Sequence, residues 1–266
     1  MPVEPPVTSP RVLAEAYAVL ADGPARPIAG GTDLMVALTG ELGEPPDRIL
    51  DLWGLDELRG IALDGDTISL GALTTYTEIR RSALCREHLP VLVEAAATIG
   101  AAQIQNRGTL GGNVANASPA GDTLPVLLAA DASFVLGSAR GERTVPAAEF
   151  WPAYRQTALA PDELLLRIRI PLLAGRELRF RKVGTRRAQS ISKVVVALGW
   201  RDGTSAAPWT DVRLALGSVA ATPIRATATE AVRPRATAPL TPASDRTPPN
   251  DLNDMEIPTF IRRQMD

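Results

Sequence analysis

The sequence predicts a mixed α+β chain, with an α/β front half over residues 1 to about 155 and a strand-led back half. Two observations predict it. Apolar residues recur at helical spacing in 11–21 (RVLAEAYAVLA) and fill 90–100 (PVLVEAAATIG), and these segments alternate with short strand-like runs. After Trp151 the character changes to successive β-rich runs at 164–170, 178–183, 193–199 and 212–219.

Each element follows from local chemistry. The first helix stops at Asp22-Gly23-Pro24. The short strand Pro27-Ile28-Ala29 runs into Gly30-Gly31, and a helix over 32–38 follows with Thr32 as its cap. Residues 48–52 (RILDL) form a second strand, and 61–70 (IALDGDTISL) a hairpin turning at Asp64-Gly65. The segment 90–100 starts on proline, stops on glycine and is apolar almost all round, which predicts a buried helix. A Gly/Asn/Ala/Ser-rich stretch at 108–121 precedes a helix near 123–130 and a strand at 132–137. Val219 to Asn250 is 32 residues with 8 Ala, 6 Thr, 6 Pro and no aromatic. Such a segment cannot bury enough apolar surface to offset its ordering entropy, so a largely disordered linker is expected. The last residues, 254–264, recover apolar anchors and form a short amphipathic peptide.

Composition narrows the chemistry. The 266 residues carry 28 Lys+Arg against 30 Asp+Glu, a net charge of −2, which leaves no general footprint for nucleic acid or an anionic membrane. Apolar residues make up 45%, enough for a real core, and no apolar run approaches the roughly 20 residues of a membrane span. No secretory signal is readable at the N-terminus, so the cytoplasm is expected. The single cysteine, Cys85, excludes an internal disulfide and a Cys-ligated iron–sulfur cluster within this chain. The single histidine, His88, cannot build a multi-histidine metal site, so no metal ligand is expected here. Redox chemistry in this chain would need a borrowed organic cofactor.

Two glycine segments are the candidate binding loops: Pro27-Ile28-Ala29-Gly30-Gly31-Thr32-Asp33-Leu34, and 109–122 (TLGGNVANASPAGD). Glycine pairs let the backbone approach a ligand without Cβ obstruction and allow successive N–H groups to converge on an anion. Two such loops facing one another could wrap a diphosphate without lysine. The alternative for the first is a plain chain turn; the second is too costly in entropy for a mere connection. Neither reads GxGxxG, and no GK[ST] follows a glycine run, so Rossmann and P-loop assignments fail on the residues.

AGGTDL at 29–34, GAL-T at 71–74 and above all TLGGNVANASPAGD at 109–122 resemble the FAD-binding (medium) subunit of the molybdenum hydroxylases, the group of the xanthine and carbon monoxide dehydrogenase flavoproteins. RKVGTRRAQSISKVVVA at 181–197 and LALGSVAATPIRA at 214–226 are also similar, so the resemblance spans roughly residues 3–226. It implies an FAD-binding fold of the vanillyl-alcohol-oxidase (PCMH) type. Residues 1–175 would form two α/β subdomains, about 1–55 and 56–175. Residues 176–226 would carry a C-terminal domain with a three-stranded antiparallel sheet, cut short by the linker and peptide at 227–266. Carried onto matching positions, 27–34 and Thr109, Leu110, Gly111, Gly112 and Asn113 line the diphosphate, and Ile99 and Leu165 supply apolar contact to the flavin.

The resemblance also places Asp122 near the ribose and adenine end; the alternative from the residues is a helix N-cap for 123–130. Lys182 shares a strand face with Leu178 and Phe180, and a lysine there needs an anionic partner or a path to solvent. The chain holds only two lysines, Lys182 and Lys193, and the family matching puts a flavin-contacting lysine at Lys182. Lys193 is read as structural, and Cys85 and His88 as packing or surface residues. No catalytic acid–base group is expected, because the implied role is electron transfer. FAD would take electrons from a [2Fe–2S] small subunit, reduced by a molybdopterin-containing large subunit, and pass them to NAD, a quinone or oxygen, in a dimer of heterotrimers. A different class also fits: a non-catalytic adaptor. Its terminal peptide DMEIPTFIRRQ is similar to the recognition tail of the bacterial tubulin-like cell-division GTPase, or packs back as a helix.

Overall fold

The computed structural model describes residues 5–40, 44–172, 174–186, 189–204 and 207–231. Residues 1–232 make one compact unit. The terminal peptide and most of the expected linker lie outside the described residues.

The N-terminal segment comprises β1 (Val7–Thr8), α1 (Leu13–Asp22), β2 (Arg26–Ile28), α2 (Leu34–Thr39) and β3 (Ile49–Asp51). The three strands make a parallel sheet in the order β1-β3-β2, and parallel neighbours require the crossovers that α1 and the α2 segment provide. Asp33, not Thr32, is the cap residue of α2, and it makes no side-chain capping bond; the Thr32 hydroxyl donates to the Asp33 carboxylate at 3.5 Å instead.

The middle segment runs β4 (Ile61–Asp64), β5 (Thr67–Gly71), α3 (Tyr76–Arg81), α4 (Ala83–His88), α5 (Pro90–Ala97), α6 (Ala102–Arg107), α7 (Leu110–Asn116), α8 (Leu124–Ala129), β6 (Ser133–Ser138), β7 (Gly141–Pro146), α9 (Ala147–Phe150) and β8 (Leu164–Pro171). Its strands form an antiparallel sheet ordered β4-β5-β8-β6-β7. The β4–β5 hairpin pairs Asp64 with Thr67, and Gly65 takes the left-handed φ of +60° that a two-residue turn requires. The apolar α5 is buried as its composition demands, through Val91, Leu92, Ala95 and Ala96. Phe134, Phe150 and Trp151 pack edge to face at 4.7–5.5 Å in the main core. A second cluster, including Leu50, Leu52, Leu73, Val135, Leu164 and Leu166, joins the parallel sheet to β6 and β8. That join positions the first glycine loop against the middle segment.

The last segment holds β9 (Arg176–Gly184), β10 (Ser192–Thr204), β11 (Ala207–Gly217), β12 (Ile224–Arg225) and α10 (Thr227–Glu230). The antiparallel sheet has three long strands, as expected, plus a two-residue fourth, in the order β12-β11-β10-β9. The linker expectation is therefore corrected over 219–231. Arg225 pairs with Ala215 in the ladder, and its Nε donates to Glu230 at 2.6 Å, so one ion pair holds the strand and the helical turn onto β11. At the end of α8, Asp131 (φ +51°) accepts from Arg176 at 2.8 Å, Arg213 at 3.2 Å and Arg225 at 3.2 Å. These bonds tie β9, which carries Lys182, together with β11 and β12 to the middle segment. Lys193 is exposed on β10. Cys85 is buried in the main core. Among the described residues no helix is long and apolar enough to cross a membrane.

Candidate functional site

The first glycine loop, residues 29–33, joins the end of β2 to α2. Gly31 takes φ +75°, a conformation glycine adopts without Cβ strain. Among the described residues, the amides of Ala29, Gly30, Gly31, Thr32 and Asp33 donate to no protein acceptor. Gly30 lies flat on the turn between α6 and α7: a Cβ there would sit 1.8 Å from the Arg107 carbonyl oxygen. The loop is also tied sideways. Asp33 Oδ1 accepts from Asn116 Nδ2 at 2.9 Å, and Asn116 Oδ1 accepts from Arg155 at 3.2 Å.

The second glycine run is not its mirror image. Thr109 caps α7, its Oγ1 accepting from the Gly112 amide at 3.0 Å. The Leu110 amide donates to Thr74 O at 2.9 Å, that of Gly111 to Ala72 O at 3.0 Å and that of Asn113 to Thr109 O at 3.1 Å. All four amides are spent inside the protein. Glycine is needed at 111 for packing, since a Cβ would lie 2.5 Å from Ala72 O. The expectation of two opposed rows of bare amides is corrected: one row is bare, and the facing segment is a capped helix. What that helix offers is side chains. Thr123 Oγ1 donates to Asn113 Oδ1 at 2.6 Å, which leaves the Asn113 amide N–H groups as donors, and the Thr109 hydroxyl keeps its hydrogen.

Between these segments lies a cavity of about 700 Å³. Every residue singled out from the sequence for the cofactor lines it except Leu110, which is fully buried in the main core. Ile99 and Leu165 contribute apolar wall, and the Ile99 carbonyl is held by Gln105 Nε2 at 2.9 Å.

Asp122 and Lys182 meet in the same wall. Lys182 Nζ lies 2.6 Å from Asp122 Oδ2 and donates to Thr98 O at 3.2 Å, and both side chains are largely withdrawn from solvent, 13% and 8% exposed. Ser192 donates to the other oxygen, Asp122 Oδ1. The cap residue of α8 is Thr123, so the alternative of Asp122 as a helix cap is corrected: the lysine and the serine take up both of its oxygens. Lys182, expected at the flavin, and Asp122, expected at the ribose and adenine end, stand 2.6 Å apart. Thr98 O on Lys182 and neighbouring Ile99 group the pair with the apolar wall.

Three more wall residues, Tyr76, Ser192 and Glu163, lie outside the glycine segments. Tyr76 is 3% exposed, and its hydroxyl makes no hydrogen bond among the described residues. Burial, reinforced by the charges of Asp33 and Asp122, pushes its phenol well above the ordinary value, so it is a neutral donor. The Thr75-x-x-Glu78 capping box, legible as a pattern, marks the start of α3 and hence the place of Tyr76. No comparable local signal marks Ser192, seventy residues from its partner. Glu163 is no free acid, since its two oxygens accept from Arg143 at 2.7 Å each and from the Ala160 amide at 2.8 Å. The Arg143 hydrogen bonds hold its carboxyl below the ordinary range despite burial.

Residues 3–173, more than half of the chain, match the family described as the FAD binding domain in molybdopterin dehydrogenase. The nicotinate dehydrogenase FAD-subunit of Eubacterium barkeri is 34% identical over 213 residues, covering 77% of this chain and 72% of that one. The xanthine dehydrogenase FAD-binding subunit of Escherichia coli O157:H7 is 35% identical over 220 residues, covering 80% and 73%. The solved carbon monoxide dehydrogenase from Hydrogenophaga pseudoflava superposes with a TM-score of 0.83 at 31% identity, over 90% of this chain and 83% of that chain. Because sequence and fold agree over most of its length, the chain belongs to the FAD-binding family of the molybdopterin dehydrogenases, and is an FAD-binding oxidoreductase subunit.

Proposed function

We propose that this chain is the electron outlet of a dehydrogenase complex. It takes electrons from a [2Fe–2S] subunit reduced by a molybdopterin-containing subunit, and passes them to NAD⁺, a quinone or oxygen. A solved Cu,Mo-containing carbon monoxide dehydrogenase, similar to this chain at a TM-score of 0.80 and 29% identity, supports a molybdenum-containing partner. Bound FAD supplies chemistry that amino acids lack, accepting and releasing electrons singly or in pairs.

The residues present fit FAD. The bare amides of 29–33 are the observation that carries this: the half-buried residues 29–32 and the exposed Asp33 present five successive donors that meet no acceptor in the protein among the described residues. We assign them to the diphosphate, with the Thr109 hydroxyl and Asn113 amide donating from the facing wall. Gly30 and Gly111 hold the two walls at this spacing, and Gly112 lets the Thr109 hydroxyl close on its amide, where a Cβ would lie 2.8 Å from Oγ1. Leu34 and Pro27, Ile28 of β2 shape the same end. At the far end Ile99 and Leu165 cover the flavin and keep water from it, while Lys182 and Asp122 present one ion pair to its polar edge. With Lys182 as its partner, we assign Asp122 to the flavin rather than to the ribose. The domain division follows: residues 1–175 bind the cofactor, and 176–226 bring Lys182 to it.

The Tyr76 hydroxyl gives a narrow check. Tyr76→Phe removes one neutral donor from the cavity while keeping the packed ring. FAD affinity measured by fluorescence titration should fall about five- to tenfold, the worth of one hydrogen bond, with the thermal midpoint of the cofactor-free protein unmoved. Unchanged affinity would show that the cofactor does not reach this hydroxyl.

The function is tested on the purified chain. It should be yellow, with bands at about 370 and about 450 nm, the ordinary absorption of oxidised flavin. Mixed with its molybdenum and iron–sulfur subunits and their substrate, the 450 nm band should bleach within a turnover. A colourless chain that takes up no FAD, or a yellow one that the reduced partner cannot bleach, would overturn the proposal.

A further inference from the structure

Asp122 faces the cavity with both carboxylate oxygens engaged, and one of its partners, Ser192, carries no role in the proposed electron transfer. Two separate segments converge on it at the end of the glycine run: Lys182 of β9, and Ser192, the first residue of β10. The Ser192 hydroxyl donates to Asp122 Oδ1, opposite the oxygen that holds Lys182 Nζ. Ser192 is 5% exposed and Asp122 7%, so water does not compete for these bonds. In the β9–β10 ladder Ser192 stands opposite Gly184, two residues beyond Lys182, and the register shifts immediately after Ser192. The ladder thus delivers both donors to one carboxylate.

A carboxylate held by one donor can turn about its Cβ–Cγ bond and carry its ammonium partner with it. A second donor on the other oxygen fixes the plane of the group and offsets part of its charge. We propose that Ser192 is a positioning residue for electron transfer: its bond to Asp122 fixes the carboxylate that aims Lys182 Nζ into the cavity, and so sets the net charge felt by the flavin. This rests on the placement of the flavin at Lys182 made under Proposed function.

Reduction adds negative charge to the flavin, so a looser lysine and a less neutralised carboxylate both favour the oxidised form. Ser192→Ala should therefore lower the midpoint potential of the bound cofactor. Equilibrated with a reference dye, it should shift roughly three- to tenfold toward oxidised flavin, a part of the worth of one charge-assisted hydrogen bond, because the bond acts on both redox states. Ser192→Thr, which keeps the hydroxyl, should restore the wild-type value. Asp122→Asn, which deletes the negative charge and leaves the lysine, should move the potential the opposite way. Opposite signs are what a general loosening of the fold cannot produce. Ser192→Cys, similar in size with a weak donor, covers a poorly folded alanine variant and should also lower the potential.

A flavin-loaded Ser192→Ala or Ser192→Cys protein with the wild-type potential would overturn the inference, as would a threonine variant that stays low. Failure of the wild-type chain to take up FAD would instead remove the cofactor proposal itself, so the two failures are distinguishable.

Discussion

Gly30→Ala is expected to abolish FAD binding and to destabilise the protein by about 3 kcal/mol or more, the upper part of the range for overpacking. Its Cβ would lie 1.8 Å from the Arg107 carbonyl oxygen and 2.6 Å from the carbonyl carbon, inside any contact distance. The obstacle is backbone and cannot swing aside. The turn behind it is pinned, with the Gly108 amide donating to Ile104 O at 2.6 Å and the Gly108 carbonyl accepting from Tyr76 N at 3.2 Å. The glycine loop must then move, taking its row of bare amides out of the cavity. Chemical denaturation and FAD titration of the same variant check both halves. An alanine variant as stable as wild type and yellow on purification would show that the loop does not press on that turn.

Asp122→Leu is expected to cost about 3–5 kcal/mol, because it leaves the Lys182 ammonium buried without its counter-ion. Lys182→Met should also be costly, stranding the carboxylate with only Ser192. The double variant should be closer to wild type than the sum of the two, with a coupling of about 2 kcal/mol or more. An exposed ion pair would couple by less than about 1 kcal/mol. The side chains are 13% and 8% exposed and Nζ to Oδ2 is 2.6 Å, which puts the pair in the buried regime. Urea denaturation of the cofactor-free proteins measures the cycle without interference from FAD. Additive single effects would mean that the two groups are independently solvated and that the pair exerts no hold on the cavity.

Local chemistry was enough for much of the site. The strand into Gly30-Gly31, the buried helix after Pro90 and the strand carrying Lys182 stand where their patterns place them, and the cavity is bordered by the first, by Ile99 just past that helix and by Lys182. These features depend on neighbours within a few positions, where period, glycine and proline act directly. The uses of the groups were a different matter. Gly111 and Gly31 look alike in sequence, yet the Gly111 amide is consumed by Ala72 across the β5–α7 contact while the Gly31 amide is bare. Thr32 and Asp122 both resemble helix caps, and neither is one. Residues 219–231 have a linker's composition, and a strand bridge and the Arg225–Glu230 pair order them.

By itself, then, the sequence determined that a buried helix starts at Pro90, that the back half is strand-led, that two glycine-rich stretches border one cavity, and which family they resemble. Only the tertiary structure decided which amides remain free, that Asp122 faces Lys182 sixty residues away rather than its own helix, and that Tyr76 and Ser192 belong to the site. The physical reason is the same in each case. A polar group buried on folding must be satisfied by whatever the fold brings within about 3 Å, and that partner is set by packing between distant segments, not by the residues on either side.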